Sequence, residues 1–375
     1  MKKIIGTNTI SYPEIRNFVD LPFLKYEIKK KQNFYKIPAH FYFKWKGKTN
    51  DYFWNTFNDF NIHNVELFHF FNALSVGKTP WITTFETSLP RWGNDKLIQK
   101  GLSLIANDSC KKIIAISDSA ANIQRQIVAT RFPEFSEIIE SKLMVLHPTQ
   151  KKIMQNLQGK NKSEIIRFTF IASDFTKKGG HEIIKVFNHL YNNGIKNWKL
   201  TIVSESLNGD STSSDSFNHV KKIIAKYPDN ITLYFQLPND KILELLRETD
   251  VGLLPSYQDT YGYSILEAQA SGCPTITTDI RAFPEINNDE IGWIIKVPKD
   301  EFGNGIYSNK KEAVLFSNAI CDQLYAIIEK IIQFPESIKE KGYKALQKID
   351  TVNSPAKNAA ILEAIYDEIS ALNKK

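Results

Sequence analysis

The stretch of the chain at residues 251–278 has the pattern of a strand, a loop, a helix and a second strand. The apolar run Val251–Leu254 has the length of a buried strand. A helical pattern covers 261–271 and is closed by Gly272, a residue type that favours helix C-termini. A second apolar run follows at 275–278. Two strands joined by a helical crossover are parallel, so this stretch predicts a parallel α/β sheet.

The same alternation of apolar strands and helical patterns runs through the second half of the chain and, less regularly, through the first. A chain of 375 residues usually divides into about two domains. The sequence therefore predicts an α/β fold of two domains, with a doubly wound parallel sheet in the second half. The predicted boundaries are a first domain at 1–150, a polar linker at 151–163, a second domain at 164–352 and a C-terminal helix at 353–375.

Composition narrows the class of protein and its compartment. Hydrophobic residues make up 42% of the chain and charged residues 24%, which is typical of a globular protein and excludes a disordered one. No apolar run is long enough to span a bilayer, and the basic N-terminus lacks the apolar core of a signal peptide. The three cysteines lie far apart and form no metal-binding pattern. We therefore expect a reducing, cytoplasmic location.

The loop and helix that follow Val251–Leu254 carry groups suited to an anionic ligand. Ligands of open parallel sheets bind at the carboxyl ends of the strands. The N–H groups of residues 261–263 begin a helix, so they lack intrahelical partners and, with the helix dipole, favour a diphosphate. Gly262 allows close approach of a ligand, and Glu267 suits paired ribose hydroxyls. On chemistry alone, a solvated Glu267 and an ordinary turn at Gly262 remain the alternative.

A second loop at the same expected edge of the sheet, residues 172–180, contains Lys178 followed by Gly179 and Gly180. The loop follows an apolar strand and precedes a helical pattern. Lys178 can reach a phosphate as a mobile point charge, and the two glycines leave the start of the helix open to close approach. A Lys-Gly-Gly sequence alone is a weak signal, and it gains weight from the motif at 259–267.

The sequence Asp259-Thr-Tyr-Gly-Tyr-Ser-Ile-Leu-Glu267, followed by Ala-Gln-Ala-Ser-Gly-Cys-Pro, resembles the signature of the retaining glycosyltransferases of family 4, the group 1 glycosyl transferases. This resemblance implies a GT-B fold, in which two Rossmann-like domains face a central cleft and the last helix crosses back to the first domain. It implies an acceptor site in the first domain and a nucleotide-sugar site in the second. Members usually carry Glu where this chain has Asp259, Arg where it has Ser173, and His where it has Glu86.

The resemblance also implies residue roles. Asp259, Glu86 and Lys178 are expected to be catalytic, with Glu86 holding sugar hydroxyls, or orienting or deprotonating the acceptor. A loop acid that caps a helix or pairs with Arg91 is the alternative for Glu86. The expected donor-binding residues are Lys178, Ser173, Thr260, Tyr261, Gly262, Tyr263, Glu267 and Gly6. The expected acceptor-binding residues are Asn8, Arg91 and Trp92. His69, on a predicted strand, is interpreted as a packed core histidine.

Residues 21–54 combine lysines with aromatic rings. This stretch contains eight lysines and only two acidic residues, Glu27 and Asp51. Eleven aromatic residues are interleaved with the lysines. This mixture suits an anionic membrane interface, and it also suits single-stranded nucleic acid. A solvated basic face over a domain core is the third interpretation.

The activity that the resemblance implies is transfer of a sugar from a nucleotide-sugar to a glycan or lipid-linked acceptor, with retention at the anomeric carbon, in surface polysaccharide or glycoconjugate synthesis. No Asp-x-Asp motif occurs, so helix dipoles and Lys178, rather than a metal, are expected to stabilise the departing diphosphate. We expect no cofactor and no nucleic-acid partner, and a cytoplasmic location that includes the inner face of the membrane. The alternatives are a nucleotide-sugar epimerase on the same fold and a non-catalytic binder of polyanions or membranes.

Overall fold

The structure is a computed structural model in which the chain divides into two compact units. The first unit comprises residues 1–149 and 353–375, and the second comprises 150–352. Of the predicted linker, Gly159 and residues 161–163 lie outside the described residues. The described residues are 2–158, 160, 164–205 and 214–372, with the side chains of 214–219 left out.

The first unit is built on a six-stranded sheet whose strands are all parallel, in the order β2-β1-β4-β6-β7-β8. A short parallel pair, β3 with β5, lies outside this sheet. The strands are β1 (Lys3–Thr7), β2 (Tyr26–Lys30), β3 (Thr56–Phe57), β4 (Leu67–Phe71), β5 (Leu74–Ser75), β6 (Trp81–Phe85), β7 (Cys110–Ala115) and β8 (Leu143–Val145).

The helices of the first unit include the last helix of the chain. A π-helical turn at Ile15–Val19 and a 3-10 turn at Pro133–Phe135 extend α1 and precede α6, respectively. The helices are α1 (Tyr12–Glu14), α2 (Lys36–Lys46), α3 (Asp51–Trp54), α4 (Asp95–Ala106), α5 (Asp118–Arg131), α6 (Ser136–Lys142) and, from the C-terminal segment, α14 (Pro355–Leu372).

His69 shows how the last helix is held in this unit. Its ring is fully buried on β4, with Nδ1 2.7 Å from the Tyr366 hydroxyl of α14 and Nε2 2.8 Å from Oγ1 of Thr84. Phe18 stacks on the same ring at 3.8 Å between centroids. Burial lowers the pKa of His69 to about 3, so the ring is neutral at physiological pH. The interpretation of His69 as a packed core histidine is therefore confirmed.

The second unit is a six-stranded parallel sheet in the order β11-β10-β9-β12-β13-β14. Its strands run outward in both directions from β9 and β12, the strand order of the doubly wound dinucleotide-binding fold. The strands are β9 (Ile166–Ile171), β10 (Trp198–Val203), β11 (Ile231–Tyr234), β12 (Val251–Leu254), β13 (Thr275–Thr278) and β14 (Trp293–Ile295).

The helices of the second unit alternate with its strands before a helical C-terminal part. Of the buried side chains of β9, Phe168 packs against Phe187 of α7, and Phe170 packs against Phe175 of the loop before α7. The helices are α7 (Gly180–Asn192), α8 (Ser214–Lys226), α9 (Asn239–Glu248), α10 (Tyr263–Ala270), α11 (Phe283–Ile286), α12 (Lys310–Gln333) and α13 (Glu336–Thr351).

Residues around the expected linker are attached to the second unit. The N–H of Ile153 donates to the carbonyl of Ala270 at 2.9 Å. The ammonium group of Lys160 lies 2.9 Å from the carbonyl oxygen of Thr249 and 3.0 Å from Sγ of Cys273. These contacts attach Ile153 and Lys160 to the second unit, which comprises residues 150–352.

Candidate active site

The candidate site of the second unit lies where the strand order of its sheet reverses. Strands β9 and β12 are neighbours in the sheet. The chain continues from β9 to β10 toward one edge of the sheet and from β12 to β13 toward the other. The loop after β9 ends at α7, and the loop after β12 ends at α10. A crevice forms at such a point in doubly wound sheets, and ligands bind there. Both sequence motifs predicted to bind the donor therefore meet at one place.

Lys178 and Asp259 form the closest contact between the two loops. The Lys178 ammonium lies 2.6 Å from Oδ2 of Asp259, and it donates a second hydrogen bond of 2.7 Å to the carbonyl of Gln258. Their side chains are only 20% and 16% exposed, respectively. Partial burial reduces screening by water, so this pair is stronger than a surface ion pair. It joins a predicted phosphate-binding cation to a predicted catalytic carboxylate.

Backbone contacts hold the two loops together around this pair. The N–H of Tyr257 donates to the carbonyl of Lys177 at 2.9 Å. Gly179 has φ of +82°, and a Cβ at this position would collide with the carbonyl oxygen of Pro255. Glycine at 179 is therefore required both by its left-handed backbone and by the close approach of the loops. The predicted role of Gly179 in ligand approach is additional to this structural one.

Asp259 also shapes the start of α10. Its Oδ1 accepts a hydrogen bond of 3.2 Å from the N–H of Tyr261, so this N–H has a partner within the protein. The helix begins at Tyr263 rather than at 261, with Gly262 as its N-cap residue at φ +94°. The Tyr261 side chain is fully buried. The helix N-terminus that favours an anion therefore lies at Tyr263, two residues later than predicted.

Gly262 is required by the fold as well. Besides its left-handed backbone, a Cβ there would lie 2.7 Å from a ring carbon of Phe283 and 2.8 Å from Cδ1 of Ile265. Those distances are too short for any side chain without movement of the core. The backbone conformation of the turn and the packing of the core therefore both require glycine at position 262. Its role in the close approach of a ligand remains a prediction.

The other donor residues take different positions. Glu267 is half-buried on α10, one helical turn beyond the half-buried Tyr263. Thr260 and Ser173 are exposed on the loops after β12 and β9. All four belong to the two loops and the helix that meet at this edge, so the second unit brings the predicted donor residues of its own sequence together.

A buried network behind the loop was not predicted from the sequence. The hydroxyl of Tyr257 donates a 2.9 Å hydrogen bond to Oε1 of Glu182 on α7, and the hydroxyl of Ser317 on α12 donates to the same oxygen at 2.6 Å. The Tyr257 ring stacks on Phe316 at 4.5 Å between centroids. Burial and the Glu182 carboxylate raise the pKa of Tyr257, so it stays a hydroxyl donor. Glu182, near the start of a helical pattern, gave no sequence signal beyond its favourable place in the first turn.

A cavity of about 170 Å³ opens beside Asp259. Arg281 lies in its wall with φ of +46°, and its guanidinium donates to Oδ1 of Asn304 at 3.2 Å. Tyr307 contributes a hydroxyl that lies 3.4 Å from Oε1 of Gln258. The sequence motifs did not identify these residues, because they come from the segments after β13 and β14 and converge only in the folded unit. Their hydrogen-bonding groups suit a polyhydroxylated ligand.

In the first unit, Glu86 follows β6 and is held by two neighbours. Its Oε1 accepts hydrogen bonds from Nδ2 of Asn72 at 3.2 Å and from the guanidinium of Arg91 at 2.8 Å. The Glu86 N–H donates to Oδ1 of Asn72 at 3.2 Å, so these two residues are paired in both directions. Asn72 follows β4 with φ of +56°, a backbone conformation that Asn tolerates better than most residues. The pairing of Glu86 with Arg91, one of the two predicted alternatives, is present.

Three other predicted residues of the first unit are less accessible than expected. Trp92 is 3% exposed and packs edge-on against Tyr52 in the core, so packing accounts for this ring and its contact with an acceptor stays a prediction. Gly6 is buried, and a Cβ there would collide with the ring of Phe68, which explains the glycine by packing. Asn8 is buried, with the Thr9 hydroxyl 3.4 Å from its Oδ1. Of the predicted acceptor residues, only Arg91 is exposed.

Among the residues that the structure describes, no helix combines the length and the apolar character needed to cross a bilayer.

Comparison with known proteins agrees with the geometry of the second unit. Residues 150–312 match the family model described as Glycosyl transferases group 1. This match covers fewer than half of the 375 residues and ends in the first turn of α12. No curated protein sequence matches the chain.

Solved structures similar to this chain extend over both units. A glycosyltransferase from Rickettsia africae ESF-5 has 15% identity and a TM-score of 0.60, over 98% of this chain and 90% of the other. Anabaena Alr3699/HepE, solved with UDP and glucose, has 11% identity and a TM-score of 0.58, over 98% and 100%. WaaG, a glycosyltransferase involved in lipopolysaccharide biosynthesis, has 16% identity and a TM-score of 0.53, over 96% and 90%.

These likenesses establish the fold class. Two parallel-sheet, Rossmann-like α/β units match glycosyltransferase structures of the GT-B type, so the predicted GT-B fold is confirmed. Residues 150–312 are the part of this fold that is similar to the group 1 glycosyl transferase model.

Proposed function

We propose that this protein is a nucleotide-sugar-dependent glycosyltransferase that acts with retention of anomeric configuration and without a metal. Its donor binds at the carboxyl edge of the second unit, and its acceptor is a glycan or a lipid-linked saccharide. The observation that carries the proposal is the meeting of Lys178, Asp259 and the starts of α7 and α10 at the switch point of one sheet.

The site can hold a diphosphate without breaking its ion pair. An ammonium group has three N–H donors, and Lys178 directs two of them to Asp259 and the carbonyl of Gln258. The third donor can go to a phosphate oxygen. The N-termini of α7 and α10 add positive potential at the same edge. Together they stabilise the negative charge that develops on the departing diphosphate.

The remaining residues of the site bind different parts of the donor. Glu267 on α10 accepts hydrogen bonds from ribose hydroxyls, and Asp259 orients the sugar or stabilises positive charge at its anomeric carbon. The cavity beside Asp259, with Arg281 and Asn304 in its wall, is the place for the transferred sugar. HepE has been solved with UDP and glucose, which makes UDP-sugars the first donors to test.

The first unit is proposed to bind the acceptor. Glu86, oriented by Asn72 and Arg91, receives a hydrogen bond from the acceptor hydroxyl. The departing phosphate takes the proton of that hydroxyl as the new glycosidic bond forms on the same face of the sugar. With a glycan or lipid-linked acceptor, the product would be used in surface polysaccharide or glycoconjugate synthesis. We propose that it is made at the cytoplasmic face of a membrane.

A two-stage experiment tests this function. Thermal-shift measurements with UDP-, GDP-, ADP- and dTDP-sugars identify the donor, because a ligand at about 100 times its dissociation constant adds ~2.7 kcal/mol of stability. The identified donor is then incubated with lipid-linked and free saccharide acceptors. We expect a transferred sugar whose anomeric configuration by NMR equals that of the donor. A free epimerised sugar as the only product would establish an epimerase instead, and the absence of any nucleotide binding would reject the proposal.

Metal independence is tested in the same assay. Transfer is expected to continue at an unchanged rate in excess EDTA, because Lys178 and the helix N-termini supply the positive charge. Loss of transfer with EDTA and recovery with Mg²⁺ or Mn²⁺ would reject this part of the proposal while leaving the donor site in place.

A further inference from the structure

Exposed apolar side chains are concentrated in one short segment of the first unit. Among the described residues, twenty large apolar side chains are exposed, and eight of them lie between Leu24 and Ile62. This segment is about a tenth of the chain, so the concentration is far above an even distribution. Single exposed apolar residues need no explanation, whereas a contiguous group marks an interaction surface. The eight are Leu24, Ile37, Phe41, Phe43, Trp45, Trp54, Phe60 and Ile62.

Helix α2 presents three of these side chains as a stripe. Ile37, Phe41 and Trp45 are spaced by four residues, so they lie on one face of the helix. They are 53%, 67% and 74% exposed, respectively. The buried residue of this helix, Ala39, lies on the opposite face. The usual arrangement is thereby reversed, because the apolar stripe of α2 faces away from the core of its unit.

Lysines flank the stripe. Residues 36–50 contain Lys36, Lys44, Lys46 and Lys48 and no Asp or Glu. The Lys46 ammonium lies 3.7 Å from the centroid of the Trp45 ring, and Lys44, Lys46 and Lys48 are all exposed. We call the surface formed by Ile37, Phe41, Lys44 and Trp45 of α2, together with Lys48 just after the helix, the α2 face. Its charge is positive and its centre is apolar.

We propose that the α2 face docks this protein on an anionic membrane surface. A helix with an outward apolar stripe and flanking lysines lies in the plane of an interface, with its rings at the depth of the headgroups and its lysines on anionic phosphates. Because α2 contains lysines and no Asp or Glu, its positive charge complements the anionic surface along the whole helix. The surface is proposed independently of the donor site and of sugar transfer.

Two features favour a membrane over single-stranded nucleic acid. Nucleic-acid sites place aromatic rings in a basic groove, where bases stack on them. Here the stripe runs along the outside of a helix and begins with an aliphatic side chain, Ile37, which offers no ring for stacking. Insertion into an acyl boundary uses Ile37, Phe41 and Trp45 alike.

Sedimentation with lipid vesicles provides the first test. The full chain is mixed with vesicles of equal parts phosphatidylglycerol and phosphatidylcholine, and separately with pure phosphatidylcholine. We expect binding to the anionic vesicles, little binding to the neutral ones, and release as salt rises, because the Debye length falls from ~30 Å at 0.01 M to ~8 Å at 0.15 M. Absence of binding to anionic vesicles at low salt would overturn the proposal.

Matched variants then locate the surface. Phe41→Ser with Trp45→Ser should lower the partition coefficient by at least about tenfold, and Lys44→Glu with Lys48→Glu by more than about tenfold. The control is Phe334→Ser with Tyr343→Ser, which removes two exposed rings from the second unit and should leave binding unchanged. All of the substituted residues are exposed, so the variants should fold normally and their circular dichroism spectra should be unchanged. Equal loss in the control variant, or none in the α2 variants, would overturn the assignment to α2.

Depth of insertion distinguishes a membrane from other polyanions. Brominated lipids should quench the tryptophan fluorescence of the wild type, and Trp45→Phe should retain vesicle binding while losing most of that quenching. Single-stranded DNA should neither bind at 0.15 M salt nor displace the protein from vesicles. Tight DNA binding that depends on Phe41 and Trp45, or quenching that persists in Trp45→Phe, would contradict the proposal. Transfer to a water-soluble acceptor should be unchanged in all α2 variants, which separates this surface from the catalytic function.

Discussion

The Lys178 ammonium and the Asp259 carboxylate, 81 residues apart in the chain, lie 2.6 Å from each other in the second unit. Each was singled out for a separate task, one at the donor phosphates and the other at the sugar. Their contact means that a change at either residue alters the electrostatic surroundings of the other. Mutations in this site therefore have to be interpreted as a coupled pair.

Replacing Lys178 should weaken diphosphate binding. Lys178→Met removes a charge-assisted hydrogen bond, so affinity for the free nucleoside diphosphate should fall by roughly 1.5–3 kcal/mol. Calorimetric titration measures this loss directly. Lys177→Met is the matched control, since the neighbouring Lys177 pairs with Asp174 at 3.1 Å on the loop surface and should change affinity little. Equal losses in both variants would show that only general positive charge matters.

Asp259→Asn and Glu267→Gln should separate turnover from nucleotide affinity. Asn keeps an oxygen for the N–H of Tyr261 and releases Lys178 from its ion pair, so diphosphate affinity should be retained or rise. Turnover should fall by roughly 10²–10³ if the carboxylate stabilises the transition state. Glu267→Gln should instead weaken binding of donor and free diphosphate alike.

Steady-state kinetics together with calorimetry distinguish these outcomes. The division of roles would be wrong if both variants lost diphosphate affinity equally. Full activity and full affinity in both would reject the site itself.

Tyr257→Phe should loosen the loop that carries Asp259. The variant leaves the buried Glu182 carboxylate with one hydroxyl donor fewer, a loss of about 1–3 kcal/mol in the free energy of unfolding. Ser317→Ala removes the other hydroxyl from the same carboxylate and is the matched control. Both should lower stability in urea titrations, whereas only Tyr257→Phe should also reduce turnover more than donor affinity. Equal kinetic effects would assign Tyr257 a purely structural role.

Asn72 should act through Glu86. Asn72→Gly preserves the left-handed backbone at φ +56° and removes both side-chain hydrogen bonds to Glu86. We expect a lower turnover and a higher KM for the acceptor, with donor affinity unchanged, because these residues belong to the first unit. Glu86→Gln should reduce turnover at least as much. Wild-type kinetics in Asn72→Gly would show that Arg91 alone orients Glu86.

His69 should make the protein sensitive to acid. Its pKa is lowered to about 3 by burial, whereas in the unfolded chain it is about 6.5. Between these values the unfolded state binds a proton that the folded state does not, so stability falls as pH falls, by about 1.4 kcal/mol per pH unit from this residue. His69→Gln cannot titrate there.

The difference in unfolding free energy between wild type and His69→Gln measures this contribution. It should be constant above pH 7 and shift progressively in favour of the variant from about pH 6.5 toward pH 3. A difference that stays constant over this whole range would mean that His69 ionises in the folded protein as it does in the unfolded chain.

The sequence alone predicted much of the second unit, because its motifs are local. The strand bounds Val251–Leu254 and Thr275–Thr278 follow from apolar runs between turn residues, and the structure has both as predicted. The helix between them begins two residues later than predicted. Asp259 bonds to the N–H of Tyr261 and keeps that residue outside the helix, an interaction that hydrophobic periodicity does not reveal.

Tertiary contacts decided the rest. Trp92 and Gly6 looked like residues of a binding loop, and packing against Tyr52 and Phe68 places them in the core. A loop sequence does not say which of its large side chains turns inward, since that depends on space left by elements distant in the chain.

The sequence by itself determined the parallel α/β class, the two-unit organisation and the motifs at Lys178 and at 259–267, since strand periodicity, turn residues and helix starts are all encoded over short distances. Only the tertiary structure decided that Lys178 pairs with Asp259 and that the Tyr257 hydroxyl donates to Glu182. It also decided that the stripe of Ile37, Phe41 and Trp45 faces outward. Those outcomes depend on which side chains meet across loops and helices. Such long-range contacts follow from the packing of the whole unit and leave no periodic signal in the chain.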